Sequence, residues 1–383
     1  MNHIICIFLG IGLLSPRFVF SQLQLLDSIK AKADFWHTIA GVDESGKLLY
    51  FGKSEADKRG IFQVDFSEKT LKPILLKQKN LENFLGQYLA NNQYLSRASV
   101  LKLFSDSVTS LPLKRRGSQP GRLSSLSGAH NFYNPTNGRL VWMRTTWEPD
   151  HLMFNLATLK AKRKKFVLRR KQKIFEAGRA ITNFSYNSLF TTKHYAISWK
   201  ENPENPIIYF HNPSRKELFV YNTATDDLRV LPMANSRFEP VQDSIAFADA
   251  QKGHISRFFH YLTEVNNYTF LGYDSTQHLL FRSWAEAIDD TVKSDWRSKG
   301  RTCPVIITDD DKLRQLNLSR RPQWLQVIAP QTGELLVEQR LPPYTELVGL
   351  ADGLLYLRRR NATGTGSTFY RARLELPQAT VQE

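Results

Sequence analysis

One local pattern recurs along the chain and restricts its fold more than any other feature. An apolar or aromatic residue meets a polar turn of four to six residues, which leads through Leu into an alternating strand. It occurs as VDESGKLLYF from Val42, YNPTNGRLVWM from Tyr133, YNTATDDLRVL from Tyr221, YDSTQHLLFRSW from Tyr273 and APQTGELLVEQ from Ala329. Asp, Asn, Ser, Thr and Gly in such turns tolerate left-handed φ or hydrogen-bond their own backbone, so each stretch is a β-hairpin connection. The starts lie 91, 88, 52 and 56 residues apart. The two longer gaps are about twice a 45-residue unit, near the length of a four-stranded propeller blade.

Further strands fill the spaces between these hairpins. YLANNQYLS, SVLKLF and SVTSLPL lie between Tyr88 and Leu113; HYAISW, PIIYFHN and KELFVYN lie between His194 and Asn222. An aromatic content of 12%, with 24 Phe and 14 Tyr, favours strands in the same way. Helical periodicity is confined to residues 23–33 (LQLLDSIKAKA) and WAEAIDDTV from Trp284, each fit for a short helix. The expected fold is all-β: a single β-propeller, with six blades of four-stranded antiparallel sheets fitting the strand count best and five or seven as alternatives. The last strands, GLLYLRRR and TFYRARLEL, are expected to pair with an early one near WHTIAG and close the ring.

Ile4 to Leu14 form an apolar stretch of about eleven residues, too short to span a bilayer as a helix. It has the length of a signal-peptide core, with Val19-Phe20-Ser21 before a cleavage point at Gln22. The alternative is a buried first strand or helix. The expected division is a signal peptide over 1–21 and a propeller domain over 22–383, with no spanning segment after processing. Cys6 has no lipobox around it, and Cys303 would be the one thiol of the processed chain. Without a disulfide, stability must come from core burial.

The segment from Ser256 to Leu357 carries a recognisable order of features: RFFHYL, YTFLGYDSTQHLLFRSW, CPVIITDDDKLRQLNL, LQVIAPQTGELLVEQRLP and GLADGLLYL. It resembles the TolB-like six-bladed β-propeller proteins of secreted and lipoprotein type from Bacteroidetes, a domain of unknown function. In those a strand pair ends in Leu-Pro and a DGLY-like strand follows; here Leu341-Pro342 and Asp352-Gly353-Leu354 fill those places. The resemblance covers the C-terminal third, and the chain departs from the lipoprotein members in lacking a lipobox cysteine. It implies a propeller outside the cytoplasm and brings no reaction or catalytic residues. Asp-Ser and Asp-Thr pairs at Asp27, Asp106, Asp243, Asp274 and Asp290 look like the O-glycosylation acceptors of exported Bacteroidetes proteins, and equally like favoured turn pairs.

A motif search returns no catalytic, cofactor or metal set. Asp309-Asp310-Asp311 fails the calcium-loop spacing, because Leu313 and Arg314 stand where an oxygen ligand and Gly are required. His254 and His260 would share one side of an extended strand. The NATGTGST stretch from Asn361 reads as a hairpin loop, and Cys303 as a buried thiol. The tryptophans read as blade packing, with a few possible at a channel mouth. Two classes of function remain. The first is an exported, non-catalytic propeller that presents a surface to a protein, peptide or acidic glycan of the cell envelope, without a cofactor. The second is a propeller hydrolase or lyase acting on acidic glycans through dispersed channel residues.

The net charge of +16 favours acidic partners. Nine cations concentrate in the run Lys160–Lys173: Lys160, Lys162, Arg163, Lys164, Lys165, Arg169, Arg170, Lys171 and Lys173. Export and the lack of a nucleic-acid motif argue against DNA or RNA. Two readings stay open: charged flanks protecting an outer edge strand from pairing, or a docking site for an anionic partner.

Overall fold

Segments in which Val, Ile, Leu, Phe and Tyr fill successive positions need cover on both faces, and stacked sheets provide it. The computed structural model describes residues 22–32, 38–43, 45–53, 59–76, 87–90, 93–95, 99–103, 108–116, 131–134, 136–145, 152–162, 165–170, 195–200, 202–211, 215–240, 266–287, 321–360 and 366–376. Strand β1 (Gln22–Lys32) precedes five consecutive four-stranded units. Blade 1 holds β2 (Thr38–Val42), β3 (Leu48–Lys53), β4 (Arg59–Asp65) and β5 (Thr70–Leu76). Blade 2 holds β6 (Gln87–Ala90), β7 (Gln93–Leu95), β8 (Ser99–Leu103) and β9 (Val108–Arg116). Blade 3 holds β10 (Asn131–Asn134), β11 (Arg139–Thr145), β12 (Leu152–Lys162) and β13 (Lys165–Arg170). Blade 4 holds β14 (Tyr195–Ser198), β15 (Ile207–His211), β16 (Leu218–Asn222) and β17 (Asp227–Leu231). Blade 5 holds β18 (Asn267–Asp274), β19 (Leu279–Ala285), β20 (Gln323–Ile328) and β21 (Leu335–Arg340). Blade 6 takes β22 (Thr345–Ala351), β23 (Leu354–Arg360) and β24 (Gly366–Glu375), and completes itself with β1 in the order β1-β24-β23-β22.

Neighbouring strands within each blade are antiparallel, and the first strands of the blades stand side by side around a centre. β2 adjoins β6 and β22, β6 adjoins β10, and β18 lies between β14 and β22. The chain is a six-bladed β-propeller. Burial falls from the inner strands outward: β14 and β15 are buried throughout, whereas β17 is largely exposed.

The core lies between blades, and the period of two along each strand divides it. Tyr195, Ile197, Ile208, Phe210, Phe219 and Tyr221 of blade 4 pack with Val141 of blade 3. Their chain neighbours Ala196, Ile207, Tyr209, Leu218 and Val220 pack on the other side with Leu271, Leu280 and Ile328 of blade 5. Blade 5 then meets blade 6 through Phe270, Phe281, Leu325 and Val327 against Leu347, Leu355 and Leu357. Alternate side chains serve opposite interfaces, which is why the inner strands read as unbroken apolar runs.

All five expected turns are hairpin connections. Those at Val42, Tyr133 and Tyr273 join the first and second strands of a blade; those at Tyr221 and Ala329 join the third and fourth. The residue spacings therefore compare unlike positions in the blades. All five turns carry a residue with left-handed φ near their end: Gly46 (73°), Gly138 (70°), Asp226 (65°), His278 (58°) and Gly333 (75°). The N–H groups of Gly138, Asp226 and Gly333 donate to the carbonyls of Asn134, Asn222 and Ala329 at 2.8–2.9 Å. Asn134, Asn222 and Asp274 each accept from the N–H two residues on, at 3.0, 2.9 and 2.8 Å, so Asx side chains start the turns. Asp274-Ser275 is thus a turn pair, whereas Asp27-Ser28 lies within β1; Asp106, Asp243 and Asp290 lie outside the described residues.

Ring closure differs from the expectation. The WHTIAG segment supplies Thr38–Gly41 to the innermost strand of blade 1, while residues 22–32 pair with β24. The helix expected over 23–33 is this closing strand. Leu23, Leu26 and Ile29 have helical spacing in sequence only: a bulge between Leu25 and Asp27 shifts the register, Leu26 is exposed, and Leu23 and Ile29 pack in different clusters. The ladder offered by β24 outweighs local propensity. Trp284 and Ala285, at the start of the second expected helix, end β19, and residues from 288 onward in that stretch lie outside the described ones.

Ile29 and Ala31 of β1 join Phe369 and Tyr356 of blade 6 and Leu48, Tyr50, Phe62 and Val64 of blade 1 in one cluster. Phe369 is fully buried, with its ring 5.2 Å from that of Tyr50. Asp27 accepts two bonds from the guanidinium of its register partner Arg371, at 2.5 and 3.1 Å. Phe369→Ala is expected to cost about 3–5 kcal/mol, measured by equilibrium denaturation. Deleting residues 22–32 is expected to lower the melting temperature further, because it uncovers the whole edge of β24.

The β2–β3 and β4–β5 turns of blade 1 are tied together by an ion pair between half-buried Lys47 and buried Asp65. Asp65 receives the Lys47 ammonium at 2.7 Å and the Ser67 hydroxyl at 2.6 Å. Its carboxyl is held well below the usual range by the Lys47 ammonium first and the Ser67 hydroxyl second. A depressed native value contributes stability that is complete above the unfolded value of about 3.9 and is lost as pH falls below it. Asp65→Asn is expected to flatten the acid limb of a stability–pH curve, measured by melting from neutral pH downward.

Candidate anion-binding surface

The basic run falls on the outer hairpin of blade 3. β12 and β13 pair from Ala157↔Arg170 to Lys162↔Lys165, so the run turns back on itself after Lys162. Lys160 and Lys162 lie on β12, and Lys165, Arg169 and Arg170 on β13. Arg163, Lys164, Lys171 and Lys173 lie outside the described residues.

β13 is not the free edge strand expected of a blade rim. Its outer side pairs in parallel with β9, the fourth strand of blade 2, through Phe166↔Leu113, Val167↔Lys114, Leu168↔Arg115 and Arg169↔Arg116. Blades 2 and 3 therefore share one eight-stranded sheet. Fourth strands of successive blades run the same way, so a direct junction between them is parallel. Edge protection of Phe166–Arg169 is overturned by this pairing: both sides of the strand are already hydrogen-bonded.

The junction adds three cations that reading the run alone missed: Lys114, Arg115 and Arg116. A signal was present in the sequence. SLPLKRR and KFVLRR both pass from apolar residues into a terminal Arg-Arg, and register sets Arg116 opposite Arg169. None of the residues of β9, β12 and β13 is acidic.

Elsewhere several buried charged groups serve packing. Arg282 is fully buried in blade 5, its guanidinium 3.9 Å from the centre of the Tyr268 ring. It donates to Gln326 Oε1 at 2.8 Å and to the Lys216 carbonyl at 3.2 and 3.3 Å. Burial pulls its pKa down, and burial brings that of Arg321 to about 9. Glu338 accepts from Gln326 at 2.6 Å, from the Arg237 N–H at 2.8 Å, and from Trp284 and the Ser236 hydroxyl at 3.3 Å. With four donors on two oxygens, this carboxylate anchors the segment after β17 to blade 5.

Trp284 and Trp324 stack at 5.5 Å, and Arg237 lies 5.3 Å from the Trp324 ring centre. Trp199 packs against the cluster between blades 3 and 4. These three are blade-packing residues. Trp36, Trp147, Trp296, His254, His260, Cys303 and Asp309–Asp311 lie outside the described residues. Among the described residues no group of three or more His, Cys, Asp or Glu is placed to hold a metal ion, and no helix is long and apolar enough to cross a membrane.

No protein-family model matches the sequence, and no curated protein matches it. The fold is similar to that of a member of the DUF4221 family from Bacteroides vulgatus, with TM-score 0.54 and 10% identity over 94% of this chain and 99% of that one. A luciferin-regenerating enzyme superposes with TM-score 0.42 and 11% identity, over 92% of this chain and 95% of that one. An oligogalacturonate lyase from Vibrio parahaemolyticus superposes with TM-score 0.38 and 11% identity, over 93% of this chain and 97% of that one. The first likeness is one of fold alone, and the two weaker superpositions carry no argument about chemistry.

Proposed function

We propose that this chain is an exported, non-catalytic β-propeller of the secreted TolB-like kind, which presents a basic surface to an acidic partner of the cell envelope. The observation that carries the binding role is the junction of β9 with β13. It brings Lys114–Arg116 of β9 alongside β13, which carries Lys165, Arg169 and Arg170, across more than forty residues of chain, on strands without an acidic residue. Such a concentration attracts anionic groups at long range and holds them by charge. Export rests on the apolar Ile4–Leu14 segment and the small-residue site before Gln22. β1 begins at that same Gln22, so removal of residues 1–21 would leave the closing strand whole.

Two measurements test these parts separately. Intact mass and N-terminal sequencing of the protein from its native envelope are expected to show a chain beginning at Gln22; an intact Met1 in that fraction defeats the export reading. For binding, the wild type is expected to be retained on immobilised polyglutamate and released by salt. The joint variant Lys162→Gln, Arg163→Gln, Lys164→Gln, Lys165→Gln is expected to lose most of that retention with an unchanged melting temperature. A wild type that passes unretained at about 0.15 M salt, where screening acts over roughly 8 Å, defeats the binding role.

A further inference from the structure

The interface that closes the ring is apolar along most of its length and cationic at one end. Side chains alternate between the faces of a sheet, and register partners share a face. In blade 6 the row Ile29, Phe369, Arg358 and Glu346 therefore lies on one face, and the next row on that face holds Ala31, Ser367 and Arg360. Ile29, Ala31 and Phe369 belong to the cluster shared with blade 1, so both rows turn toward that blade. Tyr50 meets the first row: its ring lies 5.2 Å from that of Phe369 and 5.3 Å from that of Phe62. β3 and β23 both run away from the contact between Gly46 and the Tyr356 hydroxyl, so the step from Arg358 to Arg360 is matched by the step from Tyr50 to Gly52. Gly52 is paired with Gly60, and β3 and β4 thus offer backbone alone at the level of Arg360. Glycines inside strands mark places where another group comes close to the backbone. On the blade 6 side, Ala31 and Ser367 are small and buried.

The two arginines are unequally neutralised. Arg358 donates from Nε to Glu346 Oε1 at 2.6 Å, whereas Arg360 reaches the same oxygen from Nε at 3.3 Å. Their side chains are only 8% and 16% exposed. Among the described residues the Arg360 side chain has no other hydrogen-bond partner. Burial, and after it the charge of Arg358, lowers the Arg360 pKa to about 10, the direction expected of a guanidinium short of countercharge. Its Nη1 and Nη2 groups, fixed in one plane with Nε, match the two oxygens of a carboxylate.

We infer that this end of the blade 6–blade 1 interface binds the carboxylate of a small organic acid, with Arg360 as its anchor and Gly52 and Gly60 admitting the attached flat group against the backbone of blade 1. This goes beyond the basic-surface reading and does not depend on it. One weakly paired guanidinium balances one negative charge, which selects a monocarboxylate over a doubly charged phosphate ester. Sheets stacked about 10 Å apart enclose a slot rather than a bowl, and a planar group suits a slot.

The probe is benzoate, titrated by calorimetry into the purified full chain, with benzamide as its uncharged counterpart. The wild type is expected to bind benzoate with a dissociation constant of about 1 mM, the range open to a ligand of this size, and benzamide about tenfold more weakly. Arg360→Gln is expected to reduce benzoate binding to the benzamide level. Arg360→Lys, which keeps the charge and loses the fork, is expected to weaken it about tenfold. Arg359→Gln makes the same charge change on the exposed neighbour, whose side chain alternates to the other face, and is expected to bind as the wild type does. Melting curves verify that each variant is folded, and Arg360→Lys carries the test where the Gln variant melts early. Equal affinity for benzoate and benzamide, or wild-type binding by Arg360→Gln, overturns the site. Equal loss from Arg359→Gln and Arg360→Gln overturns it too, because net charge rather than this slot then holds the anion. Tighter binding of phenyl phosphate than of benzoate overturns the carboxylate class.

Discussion

The backbone ladder between β1 and β24 is the constraint on which the remaining blades depend. A row of six blades has two ends, and each end exposes one unmatched apolar face. Joining them requires a blade made from both ends of the chain, so that neither terminus can leave without opening the ring. The ladder runs from Gln22↔Glu375 to Lys32↔Gly366 and survives one bulge. Beneath it, Ile29, Ala31 and Phe369 bring the apolar surface of blade 6 against blade 1. Tyr356 of β23 adds a bond from its hydroxyl to the carbonyl of Gly46 at 2.8 Å, across the same interface. Closure is thus a hydrogen-bonded edge backed by a core, and each part holds the other in register.

The other interfaces use the same device with local variation. Blades 4 and 5 meet through an apolar cluster, yet Arg282 stands fully buried where the segments Lys216 and Ser236–Phe238 approach blade 5. An isolated buried guanidinium would be costly. Here Gln326, the Lys216 carbonyl and the Tyr268 ring face it, and Gln326 is itself fixed by Glu338 and Ser236. The network fastens a loop that has few apolar residues of its own. It explains why polar residues interrupt otherwise apolar strands.

Much of this fold was legible because it is written in local chemistry. Asx residues at turn starts and Gly at left-handed ends locate hairpins regardless of what surrounds them, and the five quoted turns all form. Spacing between turns was less informative, since the β19–β20 connection lengthens blade 5 and the turns occupy different places in their blades. Residues 23–33 misled for a related reason: their apolar spacing suits a helix in sequence only, and the distant edge of β24 decides between helix and strand. The candidate site was half legible. Lys160–Lys173 announces itself by composition, whereas Lys114–Arg116 joins it through parallel pairing between blades, which no local pattern encodes.

That junction also carries a cost that packing does not explain. Like charges directly opposite each other on neighbouring strands are destabilising, and Arg169↔Arg116 at the seam and Lys162↔Lys165 in the adjoining hairpin are two such register pairs. No acidic residue on the three strands offsets them. Edge protection does not supply a reason, because β13 has no open edge at Phe166–Arg169. Sequences depart from local consistency in this way at functional sites.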